Sequence, residues 1–311
     1  MSHQIIGVDW GTTNMRAVLC DVDGSSISAR EVKNGPGIAR LQGSPADELF
    51  KTIAPWLQSR SPARVILSGM VGSNIGWHSV PYLSCPISVS EIAKQTFGFA
   101  DRDIELKIVP GLRSSEDSDA AEVMRGEELQ ILGWLAANPI RQQGTHLLCL
   151  PGTHTKWATI CDGVVESFVT AVSGELFSLL LNQSILFAGF SVNADNAEVD
   201  TAAFDLGVEQ MKTHGGMFLH SLFGARSRQV LDTFSNNEAR SYLSGLIIGS
   251  DVQGLLTEHK GAVGEIVIIG NPTQSELYDR VIRATGRNAV TMDGIDAALM
   301  GYKFVDEALT I

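Results

Sequence analysis

The sequence predicts two successive α/β domains, and two observations carry that expectation. A strand–turn–strand–turn–strand pattern opens the chain and restarts at mid-chain, each copy running on into helices. The length, 311 residues, also exceeds the roughly 250–300 residues that one hydrophobic core sustains.

Residues 5–9, 17–21 and 26–32 read as three antiparallel strands, with Asp23-Gly24 as a hairpin signal. Residues 46–60 read as a helix. Residues 63–68 (ARVILS) form a continuous apolar strand of the kind buried on both faces, and it runs into the Gly-rich loop SGMVGSN. A strand at 104–109, a loop at 110–119 and an amphipathic helix at 123–137, stopped near Asn138-Pro139, follow. The pattern restarts with strands at 145–150, 156–161 and 164–169. Helices are expected at 176–187, 195–213, 221–231 and 238–257. A buried strand at 265–269 leads through Gly270-Asn271-Pro272 into a helix at 274–285. A strand at 289–292 and a helix at 295–309 close the chain. The polar link at 139–144 (PIRQQG) marks the boundary. The expected domains are residues 1–140 and 145–293, with a C-terminal helix at 294–311 returning to the first domain.

Composition is that of an ordinary globular protein, with 44% hydrophobic and 19% charged residues and a mean hydropathy of +0.09. The formal net charge of -12 speaks against a nucleic-acid partner, whose surface calls for basic protein. No apolar run reaches the about 18 residues that a membrane span needs. The first residues lack the basic and apolar segments of a signal peptide. Cys20, Cys85, Cys149 and Cys161 have no CxxC spacing and read as buried thiols of a reducing compartment. The expectation is a cytoplasmic protein with no membrane partner; a homo-oligomer is left open. His78, His214, His220 and His259 show no ligand spacing, so no zinc is assigned.

The chemistry is carried by a hairpin that occurs twice, as IIGVDWGTTNMRAVLCDVDG (residues 5–24) and as LLCLPGTHTKWATICDG (residues 147–163). Gly11 and Gly152 let a backbone approach a phosphate closely and offer it N–H donors. Thr12, Thr13, Thr153 and Thr155 add hydroxyls; Arg16 and Lys156 add positive charge; His154 adds a further donor. Asp9, at a strand end, can hold Mg²⁺ through water. A lone Asp-x-Gly-Thr turn is equally a plain hairpin; its repetition is what points to phosphate. Two such turns facing each other across a cleft would grip a polyphosphate, which makes an ATP-dependent phosphotransferase the leading idea.

Other segments fill out such a site. The loop at 68–77 follows a buried strand, where α/β sheets bind ligands. Ser68, Gly69, Met70, Gly72, Ser73 and Asn74 could hold a carboxylate, and Arg113 or Arg125 could pair with it. GMVGSNIG does not fit the dinucleotide pattern G-x-G-x-x-G. Trp10 and Trp77 could stack on a sugar face. Ser173-Gly174-Glu175 could line the cleft floor. Gly270, Asn271 and Pro272 could approach a purine, with Ser244-Gly245 on its other side.

With DWGTTNMR (9–16), SGMVGSNIGW (68–77), VMRGEELQILG (123–133), LPGTHTKW (150–157) and LSGLIIG (243–249), the chain resembles the actin-like ATPase superfamily. Within it, the chain is most similar to the 2-dehydro-3-deoxygalactonokinase family. The resemblance implies two ribonuclease H-like α/β domains with an interdomain cleft. It also implies phosphorylation of the sugar acid 2-dehydro-3-deoxy-D-galactonate at its 6-hydroxyl by ATP and Mg²⁺, in galactonate catabolism. Related sugar kinases take the hydroxyl proton on a carboxylate at the start of the first connecting helix, here Glu127 or Glu128. Asp119 and Glu122 are upstream alternatives. Successive helix positions diverge by about 100°, so only one of the pair can face a substrate, and Glu127 is favoured. Pro151 stands where many superfamily members have Asp, which leaves Asp9 as the metal carboxylate. A kinase for another sugar or sugar acid, and a non-catalytic nucleotide switch, remain alternative readings.

Overall fold

The computed structural model describes residues 2–59, 62, 64–115, 121–188, 198–258 and 265–310. Asp119, and residues 195–197 where a helix was expected to begin, lie outside them. The chain opens with β1 (His3–Trp10), β2 (Asn14–Asp23), β3 (Ser26–Pro36), α1 (Pro45–Ser59), β4 (Val65–Gly69), β5 (Leu83–Ser84), β6 (Ile87–Ser88) and α2 (Val89–Lys94). It continues with β7 (Phe97–Asp101), β8 (Ile104–Ile108), β9 (Leu112–Arg113), β10 (Val123–Met124) and α3 (Glu127–Ala136). Then come β11 (Thr145–Leu150), β12 (Thr155–Cys161), β13 (Val164–Ala171), α4 (Ser173–Gln183), α5 (Thr201–His214), α6 (Phe218–Val230) and α7 (Asn236–Glu258). β14 (Ile266–Gly270), α8 (Pro272–Ala284), β15 (Ala289–Asp293) and α9 (Gly294–Ala308) close it. Among the described residues no helix is long and apolar enough to cross a membrane.

Two compact units emerge, one of Met1–Thr145, Ala158–Val169 and Met292–Ile311, the other of His146–Trp157 and Thr170–Thr291. In the first, a six-stranded sheet runs β3-β2-β1-β4-β8-β7. Its hairpin strands pair antiparallel and β1, β4 and β8 pair parallel. Every residue of β4 is buried, as its unbroken apolar run requires of a strand covered on both faces. The core beneath gathers Val8, Met15, Leu49, Ile53, Trp56, Leu67 and Ile108. β3 runs four residues past the expected end at 32, to Pro36. A three-stranded sheet, β10-β9-β5, was not anticipated; its two-residue strands carry no readable periodicity.

The remaining sheet has the order β15-β14-β11-β12-β13-β6. The β12–β13 turn has positive φ at both Asp162 and Gly163, the geometry Asp-Gly favours in a two-residue hairpin. In the second unit, β14 is wholly buried and packs with Leu147, Phe204, Val252, Tyr278 and Val281.

α9 belongs to the first unit and is tied in at both ends of its contact. A Cβ at Gly133 of α3 would overlap the Ala297 carbonyl, and one at Gly301 would overlap that of Leu129. The two helices therefore meet backbone to backbone. Below them the Tyr302 ring lies against Gly7 of β1, and Asp306 takes hydrogen bonds from Arg64 (2.5 Å) and His3 (2.7 Å). Gly133→Ala should overpack this crossing and lower stability by about 1–3 kcal/mol. Urea unfolding measures this, and an unchanged midpoint would mean that the helices separate freely.

Candidate active site

The first turn is held from behind. Gly37, Ile38 and Ala39 donate their N–H groups to the carbonyls of Thr13, Gly11 and Thr12, each at 3.0 Å. Those carbonyls are thereby spent, while the N–H groups of Thr12 and Thr13 find no acceptor among the described residues, and both residues are exposed. A row of unsatisfied backbone donors is the feature that anion-binding turns use. Arg16, exposed, stands opposite Asp9 in the β1–β2 ladder.

Asp9 is solvent-accessible at the end of β1. Lost hydration nevertheless raises its pKa, and Arg16 only partly offsets this. Ser68 is its neighbour on β4. Gly69 has φ 85°, and a Cβ there would lie 2.8 Å from the Trp10 carbonyl and 3.4 Å from Asp9 Oδ1, so only glycine fits. A Cβ at Gly126 would in turn lie 3.6 Å from Gly69 Cα. The ends of β1 and β4 and the start of α3 thus converge.

Both carboxylates of MRGEE turn back on their own helix start. Glu127, half-buried, accepts from Arg125 N–H at 3.1 Å. Glu128, at 0% exposure, accepts from Gly126 N–H at 2.6 Å, and its Oε1 has no partner. Desolvation and the neighbouring Glu127 push Glu128 up to about 8, outweighing its backbone hydrogen bonds and Arg125. Two of the expected substrate contacts are corrected here. Trp10 is fully buried and donates its indole N–H to the Pro36 carbonyl, which closes it to a sugar. Ser68 is equally buried, with Tyr302 Oη 3.3 Å from its Oγ.

The loop after β4 is largely self-satisfied. Ser73 is buried and donates to the Met70 carbonyl (2.8 Å). Arg125 donates to the Val80 carbonyl (2.8 Å) and lies over the Tyr82 ring. A Cβ at Gly72 would come within 2.7 Å of its Nη1. Its Nε and Nη1 are buried, so Arg125 props the loop from within. Asn74 is exposed, and Arg113, on β9, is half-buried.

The second turn repeats the arrangement of the first. The Thr153 carbonyl accepts from Glu175 N–H at 2.8 Å, and the N–H groups of Gly152, Thr153 and His154 find no acceptor among the described residues. A Cβ at Gly174 would overlap the Gly152 carbonyl. The turn therefore rests on the first residues of α4, whose start has no side-chain cap. His154 is held by Glu175 at 2.6 Å. Lys156 does not reach out as expected: it is 5% exposed, and its Nζ donates to Thr170 Oγ1 at 2.9 Å. Thr155 is likewise buried, bonded to Ser173.

Beside this turn lies a cavity of about 250 Å³, lined by Gly152 and Gly174, by Arg240, Ser241 and Ser244 of α7, and by Thr273, Gln274 and Tyr278 of α8. The residues expected to contact a purine are placed as follows. Gly245 is turned away, because a Cβ there would overlap the Phe204 carbonyl of α5. Asn271 caps α8, accepting from Gln274 N–H at 3.0 Å, with Pro272 in its first turn. Gly270 packs on Pro151. Positions 240, 241, 244, 247 and 248 share one helical face, a spacing readable in the sequence beyond Ser244.

The neutral Glu128 has a consequence for stability. Its folded pKa, about 8, lies above the ordinary glutamate value of 4.5. The native state therefore keeps a proton that the unfolded chain has lost, and stability falls as pH rises between those values. Glu128→Gln abolishes this titration. Its melting temperature relative to wild type should rise from pH 5 to pH 9, and a difference independent of pH would contradict the assignment.

The chain matches the family model described as 2-keto-3-deoxy-galactonokinase over residues 9–305. It is 33% identical to the 2-dehydro-3-deoxygalactonokinase of Escherichia coli (strain K12), over 99% of each chain. A crystal structure from Sinorhizobium meliloti, provisionally titled a 2-dehydro-3-deoxygalactonokinase, superposes with a TM-score of 0.86 at 29% identity, covering 98% of this chain and 99% of that one. A gluconate kinase from Lactobacillus acidophilus shares the fold, with a TM-score of 0.51 at 12% identity over 100% of this chain and 90% of the other. With a family match that takes in both Gly-Thr turns and a relative aligned over 99% of each chain, the chain belongs to the 2-keto-3-deoxy-galactonokinase family.

Proposed function

We propose that this chain transfers the γ-phosphoryl group of ATP to the 6-hydroxyl of 2-dehydro-3-deoxy-D-galactonate, giving 2-dehydro-3-deoxy-6-phosphogalactonate and ADP. The end-to-end match to an E. coli protein named for that activity carries the reading. In the second unit the adenosine occupies the cavity edged by Arg240, Ser244 and Gln274. Phosphate oxygens take the N–H groups of the 152–154 turn and the positive end of α4. In the first unit the N–H groups of Thr12 and Thr13, with Arg16, serve phosphate oxygens, while Asn74 and Arg113 bind the sugar acid's carboxylate.

Among the described residues no group of three or more His, Cys, Asp or Glu could hold a metal. An open carboxylate at a strand end does fit Mg²⁺, which keeps most of its waters and takes phosphates as further ligands. Asp9 would hold it, and the ion supplies charge neutralisation when bound. Glu127 accepts the hydroxyl proton: it is accessible at the helix start, whereas Glu128 is sealed and protonated at neutral pH. The four unpaired thiols support a cytoplasmic location.

A coupled ADP-release assay with Mg²⁺ and ATP tests the reading. Turnover is expected on 2-dehydro-3-deoxy-D-galactonate and not on its gluconate epimer or neutral sugars; equal ADP release with and without a sugar acid would reject it. Glu127→Gln should lower kcat by about 10²–10⁴, the usual scale for a general base. Glu128→Gln should lower it far less, and the reverse order would move the proton acceptor to Glu128.

A further inference from the structure

Behind the second turn lies a hydrogen-bond chain that the phosphoryl-transfer reading leaves unused. It starts at Asp251 on α7, two helical turns beyond the cavity-lining Ser244. One carboxylate oxygen of Asp251 accepts the Trp157 indole N–H of β12 at 2.9 Å, and the other accepts the Tyr278 hydroxyl of α8 at 2.7 Å. Tyr278 Oη lies 2.9 Å from Thr155 Oγ1 and 3.1 Å from Ser173 Oγ. Those two oxygens are 2.6 Å apart. Thr155 follows the 152–154 turn directly, and Ser173 begins α4 beneath it. Thr155, Ser173 and Tyr278 line the cavity; Asp251 stands outside its lining.

The direction of these bonds follows from donor chemistry. An ionised carboxylate only accepts, and a tyrosine has one hydroxyl proton. Asp251 therefore draws the Tyr278 proton towards itself, and the Tyr278 oxygen becomes an acceptor for Thr155 or Ser173. With its own proton committed to Asp251, Tyr278 Oη can only accept within this triangle, so Thr155 and Ser173 are confined to donating to it or to each other.

We propose that Asp251 is a positioning residue for nucleotide binding: by fixing the Tyr278 proton it orients the Thr155 and Ser173 hydroxyls and holds the second turn in register with the start of α4. The proposal rests on the reading of the second unit's cavity as the nucleotide site.

Protonating Asp251 undoes this orientation, because a carboxylic acid can donate to Tyr278 instead. Burial pushes Asp251 up to about 6, against its bonds from Tyr278 and Trp157 and the nearby Ser173 hydroxyl. The titratable groups facing it are Tyr278 on α8 and Cys149 on β11, both raised well above their ordinary values by burial and by the Asp251 charge. The groups that β12 and α4 present to it, Trp157 and Ser173, carry no charge.

The test is calorimetric titration of wild type, Asp251→Asn and Tyr278→Phe with Mg²⁺ and a non-hydrolysable ATP analogue at pH 7.5 and 5.5, alongside KM for the sugar acid. At pH 7.5 each variant should bind the analogue about tenfold more weakly, the scale of one lost hydrogen bond, with KM for the sugar acid unchanged. The ratio of variant to wild-type Kd cancels the nucleotide's own titration, and it should shrink towards one at pH 5.5. Should Asp251→Asn fail to fold, Tyr278→Phe carries the same expectation. A folded variant that binds as tightly as wild type, or a ratio unmoved by pH, would overturn the proposal alone. Wild-type protein that binds no analogue would overturn both it and the nucleotide reading.

Discussion

The first turn depends on a backbone approach that Gly37 makes possible. A Cβ there would overlap Asn14 N, Thr12 O and Thr13 C. With that atom missing, residues 37–39 reach the turn and occupy the carbonyls of Gly11, Thr12 and Thr13. Carbonyls left outward would repel an anion; carbonyls bonded inward leave the N–H groups facing out. Gly174 plays the corresponding part at the second turn, bringing the start of α4 under the Gly152 carbonyl. The two turns are thus backed by different neighbours, a short 3-10 turn after β3 in one unit and a helix start in the other.

Where the end of β1 meets the start of α3, lost hydration and charge compete: Asp9 is crowded by its neighbours yet open to solvent, and Glu128 is fully buried. Asp9 keeps a raised pKa despite Arg16. Glu128 is raised further, although a backbone N–H and Arg125 favour its charge. The two carboxylates of MRGEE are therefore inequivalent: one is sealed and neutral at pH 7, the other accessible at the helix start. Tyr302, packed against Gly7, lies within electrostatic reach of both Asp9 and Glu128 and is itself raised well above its ordinary range by burial. α9 is thus part of the floor under the candidate site as well as a structural clasp.

Much of this was legible because it is local. The Gly-Thr turns, the Asp-Gly hairpins and the apolar runs of β4 and β14 each declare themselves within about ten residues. What was not legible depends on distant partners. Nothing in the sequence around Gly37 names Thr12 or Thr13 as its targets. Trp10 was expected to be able to stack on a sugar, and only its bond to the distant Pro36 carbonyl reveals that it faces inward. Lys156 looked free to reach a phosphate until Thr170 was seen beside it. The cavity draws on α4, α7 and α8 together, so its lining could not be assembled from the residues around Gly270 alone.

The account turns on outward N–H groups at the two turns, and amide spectra of the ¹⁵N-labelled protein test that most directly. Adding Mg²⁺ and a non-hydrolysable ATP analogue should shift the amide resonances of Thr12 and Thr13, and of Gly152, Thr153 and His154. Saturable binding of the analogue with both sets of amides unmoved would contradict the account.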